Sequence, residues 1–251
     1  EHPPLLKSLA GIPLLFMNLN FPLDHSSWTQ DINGQWTSGP EFLYERNDHR
    51  ADQIIFWARF PMVLVMILLG FFVFKWTKEL ADKKAALVAT FLFAFSPNII
   101  THGRFVTTDV GLAAFLIISL YYFVKFIKEP TKANMLKFGL TFGLVQLAKF
   151  SAVMLIPYYI LVVALWIIVK IIKSPHRRFN TPMRHINNKS ETWQYIKTYV
   201  SKTIAAMVIG YLLVGAVYGV LTIKEPAEII KRDINSILNS NEYYNKYGFV
   251  K

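Results

Sequence analysis

Six apolar stretches, at residues 54–74, 85–100, 110–127, 136–148, 151–172 and 199–223, fill most of this chain, and the charge between them alternates. About 20 apolar residues, rising about 1.5 Å each, cross a hydrocarbon core about 30 Å thick. The first, third, fifth and sixth stretches are near that length; the second is shorter, and the fourth is short enough for a half-span or an interfacial helix. Helices of a soluble core keep a polar face, and residues 62–74 and 161–169 have none. The pattern predicts an all-α fold, a polytopic transmembrane bundle of about six hydrophobic helices.

The charge gives that bundle a direction. A formal net charge of +11 on 251 residues would suggest nucleic acid in a soluble protein. Here the cations border the spans, so the membrane accounts for them and no nucleic-acid partner is expected. Lys75, Lys78, Lys83 and Lys84 follow the first stretch, Lys125, Lys128, Lys132 and Lys137 the third, and Lys173, Arg177, Arg178, Arg184, Lys189 and Lys197 the fifth. Between the others, residues 101–109 hold only Arg104, and the turn after Ala148 holds only Lys149. Cationic loops resist translocation. Every second loop is therefore expected inside, provided the fourth stretch is a crossing. Residues 1–53 then form an extracytoplasmic loop, 54–223 the transmembrane domain and 224–251 an extracytoplasmic tail. The chain starts at Glu1 without a signal-peptide pattern, and is expected to be a piece of a larger protein of the bacterial plasma membrane. The absence of cysteine excludes disulfides and thiolate metal sites.

The outer segments have their own texture. Residues 5–19 are apolar around Pro13 and read as a juxtamembrane helix in or near the interface. Residues 24–52 are polar but carry Trp28, Trp36, Phe42 and Tyr44, suited to headgroup level. Residues 178–190 read as a basic loop. The tail has helical spacing at Ile229, Ile230, Ile234, Ile237 and Leu238, and ends in Tyr243, Tyr244, Tyr247 and Phe249, which suggests an amphipathic surface helix.

Residues able to carry chemistry fall on the side predicted to be outside. Glu1-His2-Pro3-Pro4-Leu5-Leu6-Lys7 sets a carboxylate and an imidazole ahead of a proline-stiffened helix start, with Lys7 one turn in. A helix start with a lysine suits a phosphate, and the Glu–His pair suits acid–base work or a divalent metal. A plain stiff turn with an exposed histidine would show the same pattern. Pro97 is expected to break the second stretch. His102, Arg104 and Asp109 follow it. Thr108 or Asp109 can cap the third span, which leaves Arg104 unexplained on a side poor in cations. Arg59 lies inside the first span and must pair or snorkel. Lys149 is either a turn lysine or part of the same cluster. Cations with two carboxylates beside lipid imply a substrate with a lipid anchor and a phosphate.

These residues resemble a family. Glu1 to Lys7 is similar to the HPPL-x-K motif of dolichyl-phosphate-mannose–protein mannosyltransferases and their bacterial aminoarabinose-transferase-like relatives. Gly39-Pro40-Glu41-Phe42-Leu43-Tyr44 with Arg59-Phe60-Pro61, Thr107-Thr108-Asp109, and the glycine-rich residues 139–147 before Lys149-Phe150-Ser151 resemble further landmarks of that family. The resemblance runs from residue 1 to about 175. It implies a GT-C glycosyltransferase that moves a sugar, with inversion, from a polyprenyl-phosphate donor to a protein, lipid or glycan acceptor on the outer face of the bilayer. It implies phosphate binding at Lys7, Arg59, Arg104 and Lys149, with His2 and His102 lining the site. Glu1 and His2 would touch a divalent metal, if one is used. Asp109 would serve the acceptor or sugar. Glu1 and Asp109 are the carboxylates left as catalytic candidates, while the family's principal base belongs upstream of the HPPL motif, so this piece alone is not expected to be sufficient. Two other readings stay open: a transporter or flippase, for which Gln146 and the break near Lys149 are the hints, and a non-catalytic membrane subunit.

Overall fold

The computed structural model describes residues 3–29, 34–173 and 189–223, and positions 228, 231, 234 and 235. Glu1, His2, the 178–188 part of the basic loop and nearly all of the tail pattern lie outside the described residues. Among the described residues every regular element is a helix. They are α1 (Leu5–Gly11), α2 (Ser26–Thr29), α3 (Gln35–Pro40), α4 (Ala51–Leu80), α5 (Lys83–Ala94), α6 (Pro97–Gly103), α7 (Thr108–Lys128), α8 (Lys132–Gln146), α9 (Leu155–Lys173) and α10 (Lys189–Thr222). Short 3-10 turns sit at Pro13–Phe16, Asp48–Arg50 and Phe150–Met154, with a π turn at Glu41–Glu45.

Four segments, Asp48–Leu80, Thr108–Lys128, Phe150–Ile172 and Ser190–Thr222, are long and apolar enough to cross a membrane. The pair α5 and α6, bent by 59°, makes a fifth when taken together as one broken span. Pro97 causes the bend, as expected: it forces Ser96 into an extended conformation and restarts a helix at its own first position. This is an integral, multi-pass membrane protein. The fourth apolar stretch is α8, whose 15 residues span about 22 Å. It nevertheless runs the useful length of its neighbour. Near its start, the Asn134 amide donates to the Glu129 carbonyl at 2.9 Å and also reaches the Lys125 carbonyl. Just past its end, Lys149 meets Asp109 in the first turn of α7.

The chain divides into two compact units, Glu1–Gly11 with Arg59–Ala216 and Ile12–Ala58 with Val217–Lys251. The first is the bundle. Its largest core joins α7, α8, α9 and α10 through Phe123, Phe126, Phe138, Phe142, Tyr159 and Tyr199. Two tyrosine hydroxyls inside it are paired within the chain, as a membrane interior favours. The Tyr159 hydroxyl bonds Ser119 at 2.9 Å, and the Tyr199 hydroxyl donates to the Ile127 carbonyl at 2.8 Å. Helices α8 and α10 touch backbone to backbone at Gly139 and Gly143 against Ala206 and Gly210, the small-residue contact that lets membrane helices approach closely. A second core, with Leu6, Met62, Phe72, Phe115, Tyr121, Val145 and Ala148, fastens α1 and α4 to the α7–α8 hairpin.

The second unit is held by polar contacts. Asn47 is only 2% exposed, accepts from the Asn20 amide at 3.0 Å and donates to the carbonyls of Asn20 and Phe42. Arg46 bridges Asp24 at 3.0 Å and Glu41 at 2.8 Å. The Arg46 guanidinium, by its hydrogen bond, holds the Asp24 carboxyl below the usual carboxylate range. Leu15 and Phe16 are more than four-fifths exposed. The apolar run expected as one interfacial helix thus divides, with residues 5–11 docked in the bundle and residues 12–16 outside that unit.

Candidate functional site

One end of the bundle gathers most of the residues singled out from the sequence. Helix α1 reaches it because Pro3 is buried and the Pro4 carbonyl accepts from Ser8 to start the helix. The free Leu5 amide at that start donates to the Leu147 carbonyl at 3.1 Å, at the end of α8. Leu6 and Ala10, one turn apart, are buried. Leu6 lies over Gly111 so closely that a Cβ there would come within 2.3 Å of it. Residues 3–6 are therefore clamped between α7 and α8, and Lys7 projects from the exposed face of α1.

Lys149 stands beside this clamp. Its backbone is extended between α8 and the following 3-10 turn. Its ammonium meets Asp109 Oδ1 at 3.0 Å, with the lysine side chain 30% and the aspartate 60% exposed. The turn that presents it is braced by Gln146, whose amide donates to the Ala152 carbonyl at 2.9 Å. The residue that hinted at a transporter is thus engaged in holding this turn.

The capping expectation for α7 is corrected. Its N-cap position is Thr107, not Thr108 or Asp109, and Thr107 makes no side-chain cap bond. Asp109 sits inside the first turn, where its charge is favoured by the helix dipole and by Lys149. The Thr107 hydroxyl is buried without a partner, a polar group left open at the site.

Arg59 and Arg104 converge on one ring. Their guanidinium carbons lie 5.1 and 5.0 Å from the centre of Phe105. No carboxylate among the described residues pairs with either within 4.0 Å. Arg59 resolves its position in the span by stacking on an aromatic face, which holds a cation without neutralising it. His102 is exposed in the last turn of α6. Among the described residues no group of three His, Cys, Asp or Glu could hold a metal ion, and the proposed metal pair Glu1 and His2 lies outside them. Phe105 was not among the sequence candidates, and Leu6 and Thr107 figured only as members of their motifs, with no role of their own. Phe105 carried one usable signal, an aromatic ring next to an otherwise unexplained Arg104.

The cationic loops collect at the opposite end. The Tyr121 hydroxyl donates to Glu79 at 2.7 Å, and Lys125 pairs with Glu79 at 3.5 Å, tying the last turns of α4 and α7 together. Lys202 of α10 donates to the Pro130 carbonyl there.

The profile of the dolichyl-phosphate-mannose–protein mannosyltransferase family matches residues 52–179. The chain belongs to this family. The match takes in Arg59, Arg104, Asp109 and Lys149, along with the α4–α9 framework that carries them, and leaves Lys7 and α10 outside. No curated protein and no solved structure matches the chain. A mannosyltransferase-family member built of membrane helices is a membrane glycosyltransferase in its general class.

Proposed function

We propose that this chain builds the donor-phosphate side of a glycosyltransferase that takes a sugar from a polyprenyl-phosphate carrier and passes it, with inversion, to a protein, lipid or glycan acceptor on the outer face of the bilayer. The observation that carries the reading is the pair of arginines, Arg59 and Arg104, held on Phe105 with no carboxylate partner among the described residues, at the same bundle end as Lys149. In the reaction the acceptor's nucleophile forms a bond to the anomeric carbon, and the bond from that carbon to the phosphate oxygen breaks. The electron pair leaves with the lipid phosphate. Charge therefore grows on the phosphate in the transition state, where preorganised cations stabilise it most. Planar guanidiniums suit two phosphate oxygens at once. Lys149 approaches as a point charge oriented by Asp109, and Lys7 joins from α1.

Asp109 is already spent on a lysine 3.0 Å away. Its role is to orient Lys149 and the sugar or acceptor, not to take the acceptor's proton. Glu1, His2 and His102 are assigned to line the site on sequence grounds. The outward orientation rests on the lysines at the far end, which favour the cytoplasm. A transfer assay with membranes carrying Arg104→Ala and Lys149→Ala tests the reading. The expected result is weaker donor use in both; unchanged donor kinetics in both would remove it.

A further inference from the structure

The far end of the bundle holds a second arrangement of two cations on one ring. Lys75 and Lys125 place their ammoniums 5.1 and 4.7 Å from the centre of Tyr121. Lys75 also lies 5.7 Å from Phe71 and 5.6 Å from Phe72. Glu79 is held by Tyr121 and Lys125. Among the described residues Lys75 has no carboxylate within 4.0 Å and no hydrogen-bonded acceptor. Two ammoniums thus face one carboxylate, and one of them keeps its three donors open. Leading up to it is an exposed apolar stripe on α4, Leu64, Ile67, Leu68 and Phe71. The helical spacing of 3 and 4 residues continues that stripe to Lys75.

An apolar track ending in an uncompensated cation matches a lipid, with its acyl chain along the stripe and its phosphate at the head. We infer that Lys75, Lys125 and the Tyr121 ring form a seat for one anionic phospholipid of the surrounding bilayer. This seat is independent of the glycosyltransferase reading, since none of its residues belongs to the site at the other end. The aromatic rings fix Lys75 at one height, so an anion is met by a placed charge and not by a freely moving one. Lys78, on the last turn of the same helix, is exposed and has no such rings.

The test is native mass spectrometry of the whole chain in detergent, titrated with phosphatidylglycerol or phosphatidylcholine. One cation near an anionic lipid is worth about fivefold in binding. The chain is expected to retain phosphatidylglycerol over phosphatidylcholine by at least about fivefold, Lys75→Gln to remove that preference, Lys75→Arg to keep it, and Lys78→Gln to leave it within about twofold. Equal binding of the two lipids by the unaltered chain would overturn the seat without any variant. So would a Lys78→Gln loss as large as that of Lys75→Gln, which would mean diffuse charge.

Discussion

Gly143→Ala is expected to loosen α10 from the bundle, and the structure gives its size. A Cβ at position 143 would lie 2.6 Å from the Gly210 carbonyl oxygen and 3.0 Å from its Cα. Both are backbone atoms, so no side chain can swing aside. Carbon–oxygen approaches between helices settle near about 3.3 Å, so the two helices must part by about 0.7 Å. Overpacking of this kind costs about 1–3 kcal/mol, and alanine returns about 0.5–1 kcal/mol of glycine's helix penalty. The net loss is about 0–2.5 kcal/mol, a fall in Tm of up to about 10 °C for a chain of this size. Gly215 is the control: nothing lies within 4 Å of its added Cβ, so Gly215→Ala keeps only the gain and should raise Tm by about 1–4 °C. Thermal unfolding of the two variants in one detergent, followed by tryptophan fluorescence, gives the comparison. If Gly143→Ala melts with or above Gly215→Ala, the backbone seam between α8 and α10 is not where the structure puts it.

Three further outcomes concern the site and the second unit. Lys149→Ala should lower kcat/KM for the lipid donor by roughly 10- to 150-fold, the worth of a charged hydrogen bond. Phe105→Ala, which removes the ring under two guanidiniums, should raise the donor KM by about 2- to 30-fold while acceptor KM stays put. In the second unit, Asp24 has a depressed folded pKa because Arg46 binds its charged form. Its contribution to stability is therefore present above the unfolded value near 3.8 and is lost as pH falls through the lower folded value. Acid unfolding followed by fluorescence should show that limb in the natural chain, and Asp24→Asn should flatten it.

What could be read from sequence was length and punctuation. Apolar runs marked the spans, Pro97 marked the bend between α5 and α6, and stray cations at Arg59, Arg104 and Lys149 marked one end of the bundle. Facing was not legible, because a helix apolar on all sides gives no period from which to read its buried stripe. The Lys149–Asp109 pair and the Leu5–Leu147 hydrogen bond depend on how α7 and α8 register, and close packing at Gly111 decides part of that register. The cap of α7 was misplaced by one or two residues because Thr107, Thr108 and Asp109 are all acceptable caps by type. The orphaned Thr107 hydroxyl shows that type alone did not decide. The Glu79–Tyr121–Lys125 tie was hidden for a related reason: a lysine-rich loop reads as a topological signal, not as a set of contacts.

The account stands on the site residues sharing one end of the bundle and on the proposal that this end faces outward. The chain has no cysteine, so single cysteines can be placed at Lys7, at His102 and, for the opposite end, at Lys83, and labelled in intact cells with a membrane-impermeant maleimide. Positions 7 and 102 should label from outside, and position 83 only after permeabilisation. Labelling of 7 and 102 from opposite sides of the membrane would contradict it.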